Sequence, residues 1–355
     1  MLNARSRGLE MARSLVLDGE SLVAPGEIRR AARRFAAPKP GELVVAKAEL
    51  ALSLDVSMRQ FKSGVEPGVI IERLTDALHQ LRRRFHADVW DVIVPIAQSH
   101  PVAHYLHQDP LTRWSFEKPR GYSGDARLLD FIYGRPEIED AVASSSYLGR
   151  SIYAYTRNAS SSVAVRERRD ILARRVDQIA SVQPGSTEIL AIASGHLREG
   201  PLSRALGTGS IKRWVALDQD PMSVGTVARD FAGTSVEAVN GSVKSLLGGR
   251  HALGMFDFVY AAGLYDYLPD AVAVKLTRKC LGMLKPGGTF LFANFSPETD
   301  VDGYMETFMN WALLLRSERE MGSIAHESVR GTDAEVSVWS GSNRSIVYCE
   351  IERKS

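Results

Sequence analysis

The sequence predicts an α/β protein, with a doubly wound and mostly parallel sheet in the second half of the chain and a helical domain before it. Three observations predict this. At "SVQPGSTE", residues 181–188, the hydrophobic period changes from helical spacing to short β-rich runs. Those runs alternate with stretches long enough for crossover helices, the pattern of a parallel sheet covered on both faces. The first run ends in a tight glycine turn. The boundaries follow as 1–180, a helical cap or substrate domain, and 181–355, the sheet domain.

In chain order, "GELVVAKAELALSLDVSMRQF" reads as a helix. In "VIIERLTDALHQLRRRF", Ile70, Leu74, Leu78, Leu81 and Phe85 recur at helical spacing and predict a second. "DPLTRWSFEKPRGYSGDARLLDFIYG" mixes aromatic and polar residues and reads as loop-rich. "SSVAVRERRDILARRVDQIASV" predicts a third helix, stopped before Pro184-Gly185. Five strands follow in "EILAIA", "RWVALD", "SVEAV", "FDFVYA" and "GTFLFANF". "AEVSVWS" and "SIVYCEI", separated by the turn-like "GSN", read as a hairpin closing the sheet. Right-handed crossovers then place a ligand at the carboxyl ends of the strands.

Composition limits the function classes. With 355 residues, 45% hydrophobic and 24% charged, the chain has the make-up of an ordinary globular protein. No apolar run reaches the ~18 to 20 residues of a membrane helix, and "MLNARSRGLEMARSLVLDGE" lacks the apolar core of an export signal. Cys280 and Cys349 stand apart and form neither a metal cluster nor a disulfide framework, which fits a reducing cytoplasm. Residues 1–180 carry 27 basic and 22 acidic side chains, against 17 and 20 in residues 181–355. The clusters Arg29-Arg30, Arg33-Arg34 and Arg82-Arg83-Arg84 lie among acidic residues on amphipathic helices. They read as solvated helix faces rather than a continuous nucleic-acid surface. His100, His104 and His107 in "SHPVAHYLHQDP" have a spacing that can bind zinc, but Pro101 and Pro110 bracket the segment, and a polar helix face is the preferred reading.

The turn in "EILAIASGHLREG", residues 188–200, carries the functional signal. Gly195 sits where the first strand ends, and a side chain there would obstruct a ligand or the next helix. Asp218, in "VALDQDP", is an acidic residue about 20 positions further on at the tip of the second strand, as a ribose hydroxyl pair requires. The glycine turn that holds a dinucleotide's pyrophosphate is incomplete, because His196 and Leu197 follow Gly195. S-adenosylmethionine carries no phosphate and tolerates a less open loop. Glu199, in the same turn, is placed to face its cationic part.

"ILAIASGHLREG", "VALDQDP", "VNGSV", "FDFVYAAGLYDYL" and "LKPGGTFLFANF" together resemble the successive motifs of class I S-adenosylmethionine-dependent methyltransferases. The resemblance covers residues 185–300 and implies a Rossmann-like seven-stranded sheet with its last strand antiparallel. It implies a cofactor set of Ala193, Ser194, Gly195 and Glu199 in the first loop. Gly195 would lie under the methionine part and Asp218 would take the ribose hydroxyls, with Gln219 flanking the adenine. Asn240, Gly241 and Ser242 would edge the adenine pocket, and Ala262 and Gly263 would face the methyl-transfer channel. "KPRGYSGD", "SGHLRE", "AAGLYDYL" and "GYMETFMNW" further resemble bacterial methyltransferases of 3-hydroxypalmitic acid methyl ester biosynthesis. That narrower likeness implies methylation of a fatty-acid carboxylate.

A carboxylate acceptor needs no general base, whereas an alcohol or amine must lose a proton. The acceptor-side candidates are His196, Tyr265, Tyr122 and Asp125 for catalysis, and Tyr267, Tyr304, Trp311 and Arg157 for the substrate, with packing at the strand end the alternative for Tyr265 and Tyr267. Arg166 is a second candidate for pairing a carboxylate. Asp125 has the alternative role of capping the helix "ARLLDFIYG". Met305, Phe308, Met309 and Trp311 suit an acyl chain, or a core. The expected partner is a small-molecule acceptor, with no nucleic acid, no membrane, and a homodimer as the candidate assembly. An O- or N-methyltransferase of a natural-product pathway stays open, as does a regulator that binds the cofactor or a nucleic acid without catalysis.

Overall fold

The structure, a computed structural model, describes residue 39 and residues 41–354. The export reading of the first twenty residues and the clusters Arg29-Arg30 and Arg33-Arg34 lie outside the described residues. The described chain forms two compact units, one of residues 164–297 and 314–354, the other of residues 41–163 and 298–313. Their boundary thus precedes Pro184-Gly185, and one later segment belongs with the helices. No helix among the described residues is long and apolar enough to cross a membrane.

In the helical unit, α1 (Glu42–Lys62), α2 (Pro67–Arg84) and α3 (Ala87–Ser99) bury the apolar stripes that their sequences carry. The stretch read as loop-rich contains a helix not expected there, α4 (Pro110–Glu117), besides α5 (Ala126–Tyr133), the helix read in "ARLLDFIYG", before α6 (Tyr147–Thr156). Their start signals were present in the sequence. Asp109 accepts the amides of Leu111 and Thr112, and Asp125 accepts the amide of Leu128, each capping a helix start. The shortness of α4 hides its periodicity.

The sheet unit begins in α7 (Ser160–Val182), of which residues 164 onward belong to it. The strands are β1 (Thr187–Ile192), β2 (Ile211–Asp218), β3 (Val236–Asn240), β4 (Phe256–Ala261), β5 (Leu284–Phe295), β6 (Ala334–Ser340) and β7 (Ile346–Arg353). They run in the order β3-β2-β1-β4-β5-β7-β6, with β7 antiparallel to both neighbours. The seven-stranded Rossmann-like sheet and its closing hairpin are as expected. Successive strand residues face opposite ways, and both faces are buried. Leu190, Leu217, Val259, Phe290 and Cys349 pack with α9 (Val243–Leu247), α10 (Asp270–Leu281) and α12 (Glu318–Ser328). On the other face Arg175 of α7 pairs bidentately with Glu350 of β7, at 2.7 Å for both bonds. Helix α8 (Pro221–Asp230) packs on β2 and β3.

Residues 298–313 join the helical unit through buried charge rather than apolar contact alone. Helix α11 (Asp302–Thr307) presents Asp302 and Glu306 to Arg82 of α2, at 2.8 and 2.7 Å. His79 Nδ1 lies 2.7 Å from Asp302, and the Trp90 indole donates to Glu306 at 2.7 Å. So Arg82, read as part of a solvated basic cluster, points inward, while Arg84 pairs with Glu49 at the surface. Removing the cation leaves two buried carboxylates uncompensated, at a cost of about 3–5 kcal/mol. Arg82→Met is therefore expected to lower urea-unfolding stability by an amount in that range, and a loss below about 1 kcal/mol would mark the cluster as effectively solvated.

Candidate functional site

The strand order reverses between β1 and β4, so the loops after these strands depart in opposite directions and open a crevice at their carboxyl ends. The loop after β1 has three left-handed residues, Ala193 (φ 52°), Gly195 (φ 55°) and Leu197 (φ 50°). Leu197 stands where a dinucleotide loop has glycine. It keeps the glycine-like backbone, which costs a leucine roughly 1–2 kcal/mol, and buries its side chain completely. The loop amides are consumed internally. Gly195 N–H donates to Asp218 Oδ2 at 2.8 Å, Leu197 N–H to the Ser194 carbonyl at 3.0 Å, and Gly200 N–H to the Leu197 carbonyl at 3.0 Å.

Asp218 ties three loops together. Besides the Gly195 amide it accepts the Asp220 amide on Oδ1 at 2.8 Å, and its own carbonyl accepts the Gly241 amide at 2.9 Å. The side chain is 6% exposed, and burial pushes its pKa up against the pull of these amides and of His196. A carboxylate oxygen accepts more than one hydrogen bond, so both oxygens retain capacity for ligand hydroxyls. His196 is buried beside it, with Nδ1 3.3 Å from Arg198 Nη2, and Arg198 Nη1 reaches Asp230 at 3.3 Å. A guanidinium only donates, so Nδ1 accepts that bond.

Glu199 is buried, and its Oε1 accepts the Tyr260 hydroxyl of β4. Burial pushes its carboxyl pKa up, opposed by the Tyr260 bond and the charges of Arg168 and Arg169. Ala193 is exposed, while Ser194 and Gln219 are half-buried, and the Ser194 hydroxyl has no partner among the described residues. Asn240 is exposed at the end of β3, in register with Asp218. Gly241 leaves no room for a side chain, since a Cβ would meet the His251 ring. Ser242 caps α9, its hydroxyl accepting the Ser245 amide at 3.1 Å. Ala262 and Gly263 are half-buried after β4, and a Cβ on Gly263 would stand 3.3 Å from Arg168 Nη2.

Tyr265 requires a correction. It is fully buried in the core, stacked on Phe292, with its hydroxyl 2.8 Å from Thr277 Oγ1. Burial drives its pKa far up, and it faces α10 rather than the strand-end loops. Tyr267 is half-buried nearby. Between them, Asp266 accepts the Phe295 amide at 2.6 Å, and its pKa is pushed up to about 7 by burial. Arg316 joins this turn to β5 through the Tyr265 carbonyl at 2.7 Å and Asn294 Oδ1 at 2.8 Å.

The remaining candidates belong to the helical unit. Both Asp125 oxygens engage the Trp114 indole at 3.0 and 3.2 Å while one caps α5, so its capping alternative describes its position. Burial pushes its pKa up. Tyr122 is half-buried. The Tyr304 hydroxyl is buried and lies 3.1 Å from Thr112 Oγ1. Met305, Phe308, Met309 and Trp311 are all buried. The Arg157 guanidinium packs against Gly134, a left-handed glycine with no room for a side chain. His100 faces Asp55 at 3.4 Å, His104 meets Tyr105 edge-on, and His107 reaches the Phe308 carbonyl at 3.0 Å. No group of three His, Cys, Asp or Glu placed to hold a metal occurs among the described residues.

Arg166, in the sheet unit, is half-buried, and the buried arginine of that turn is Arg168, which sequence reasoning missed. The signal was present. Arg168, Leu172, Val176 and Ala180 follow one another four apart, so the arginine lies on the buried stripe of α7.

No protein-family model and no curated protein matches the chain. Among solved structures it is similar to a possible exported protein from Bordetella parapertussis, at 17% identity and TM-score 0.56, over 90% of this chain and 100% of that one. That likeness shows the fold. It is similar over 53% of its length to a SAM-bound amino pentose methyltransferase from Micromonospora echinaspora, at 13% identity and TM-score 0.40, covering 92% of that chain. It is similar over 54% to the N-methyltransferase NodS from Bradyrhizobium japonicum, at 15% identity and TM-score 0.36, covering 96% of that chain.

The Asp266 environment has a consequence for stability. The unfolded carboxyl releases its proton near 3.8 and the folded one near 7. Raising the pH through that window favours the unfolded chain, so the contribution is present at the acid end and is lost as pH rises. Asp266→Asn removes this dependence while keeping an acceptor for Phe295. In urea unfolding, the variant is expected to gain on the wild type steadily between about pH 4 and 7, and a constant difference would show that Asp266 is ionised throughout.

Proposed function

We propose that the chain is an S-adenosylmethionine-dependent methyltransferase acting on a small molecule. One observation carries the reading. A buried carboxylate, Asp218, stands at the tip of β2 and holds the Gly195 amide, in a seven-stranded sheet with β7 antiparallel. The first loop speaks against a phosphate-bearing cofactor, because the Gly195, Leu197 and Gly200 amides are already bonded within the protein. The residues present fit a nucleoside with an amino-acid tail. Asp218 has acceptor capacity left for ribose hydroxyls, and the unpartnered Ser194 hydroxyl sits in the same loop. Gln219 and the Asn240–Ser242 turn would edge the adenine. Two of the candidate cofactor residues would then act from outside the contact, Glu199 through Tyr260 and Ser242 as a helix cap.

The cofactor, when bound, supplies an electrophilic methyl group on sulfur. The protein's part is to align an acceptor with it and to keep water out. The finer reading is an acidic acceptor, a fatty-acid-like carboxylate that becomes a methyl ester. The motif resemblance supports it, and so does the state of the titratable groups. His196 Nδ1 is engaged by Arg198, Glu199 is bonded by Tyr260, and Asp218 is held by two amides, so each of these groups is already bonded within the protein. An ionised carboxylate requires no base.

S-adenosylhomocysteine is expected to bind in calorimetry, and Asp218→Ala to weaken it about 100-fold or more, the effect of losing charge-assisted bonds to two hydroxyls. Unchanged affinity would remove the ribose assignment. Label from S-adenosylmethionine should pass to a carboxylic acid and be released by base as a volatile product. Transfer to amines or alcohols alone would move the protein to the other acceptor classes, and binding without any turnover would make it a non-catalytic cofactor binder.

A further inference from the structure

Arg168 is 4% exposed, and its Nη1 has no hydrogen-bond partner among the described residues. A guanidinium cannot escape burial by losing its proton, so a buried Nη1 without an acceptor carries an uncompensated desolvation cost. The protein offers it little. The closest carboxylate oxygen, Asp266 Oδ2, lies 4.0 Å from Nη1, beyond a hydrogen bond. Asp266 is itself committed to the Phe295 amide, and Glu199 to Tyr260. Two other arginines of the unit whose guanidinium groups are buried or partly buried do have partners, Arg175 on Glu350 and Arg316 on Asp270, Asn294 and two carbonyls.

The position is equally specific. The guanidinium lies against Gly263, where the chain leaves β4, at the point where the strand order reverses. A Cβ there would stand 3.3 and 3.4 Å from Nη2 and Nη1, so glycine preserves the room around the fork. A buried planar cation beside a bare backbone at the crevice suits a planar anion that accepts two parallel bonds.

We propose that Arg168 is the carboxylate receptor of this crevice, gripping a ligand carboxylate over Gly263. The inference rests on the methyltransferase reading, under which two ligands carry that group: the amino-acid tail of the cofactor and an acidic acceptor. Neither Arg157, which packs on Gly134, nor half-buried Arg166 offers the same buried, unpartnered guanidinium nitrogen.

The test compares ligand pairs that differ in the carboxylate, on the full chain. Calorimetry is run with S-adenosylhomocysteine against its decarboxylated analogue, and, with S-adenosylhomocysteine present, with octanoate against octanol. Wild type is expected to prefer the carboxylate in at least one pair by about 10- to 100-fold. Arg168→Gln should abolish that preference, and Arg168→Lys, which keeps the charge and loses the fork, should retain only part of it. Loss in the first pair assigns the receptor to the cofactor tail, and loss in the second to the acceptor. A purely structural arginine would lower the melting temperature and leave both preferences intact, which overturns the proposal, as does a wild type without preference in either pair. Absence of any S-adenosylhomocysteine binding to wild type would instead remove the methyltransferase reading beneath it.

Discussion

A carboxylate withdrawn from water at the end of a strand is tolerated only when hydrogen bonds replace its hydration. Asp218 meets this with amides from two loops, and its backbone carbonyl adds a third. The arrangement fixes more than one residue. It sets the path of the chain after β1, starts the turn into α8, and aligns the end of β3. The crevice has a defined shape because one residue has collected donors from three loops, two on its carboxylate and one on its backbone carbonyl. The neighbouring groups obey the same rule: His196 against Arg198, Glu199 against Tyr260, Asp266 against Phe295. Arg168 departs from it, and the departure is informative for that reason.

The helical unit uses the same currency for a different end. The segment 298–313 leaves the sheet unit in sequence but is anchored by ion pairs and an indole bond on α2 and α3. Apolar burial is non-directional, whereas Arg82 fits Asp302 and Glu306 in one register. The cluster therefore specifies where α11 docks, at the cost of desolvating three charges.

Much of this was legible because strands of a parallel sheet are continuous apolar runs, and each of the seven was visible. Helix α4 was not read because eight residues give barely two turns of periodicity, though Asp109 marked its start, as Asp125 did for the helix read in "ARLLDFIYG". Asp218 and Gly195 were readable from spacing. Tyr265 was misplaced because a strand-end motif says nothing about which side of the sheet the next turn packs against. Arg168 was overlooked among the charges of "VRERRD", where composition hides a residue that only its spacing to Leu172 and Val176 reveals. The unit boundary moved for the same reason, since a helix that precedes the first strand can still cover the sheet.

Leu197 has a further consequence. A leucine held at positive φ and fully buried plugs the loop from beneath, so the turn is closed by its own side chain before a ligand arrives. Glycine-rich loops remain free to rearrange and are ordered by what they bind. Here that ordering cost is met during folding. Under the proposed function, a loop set in this way would accept a ligand as a preformed recess, which lowers the ordering cost of binding and selects by shape.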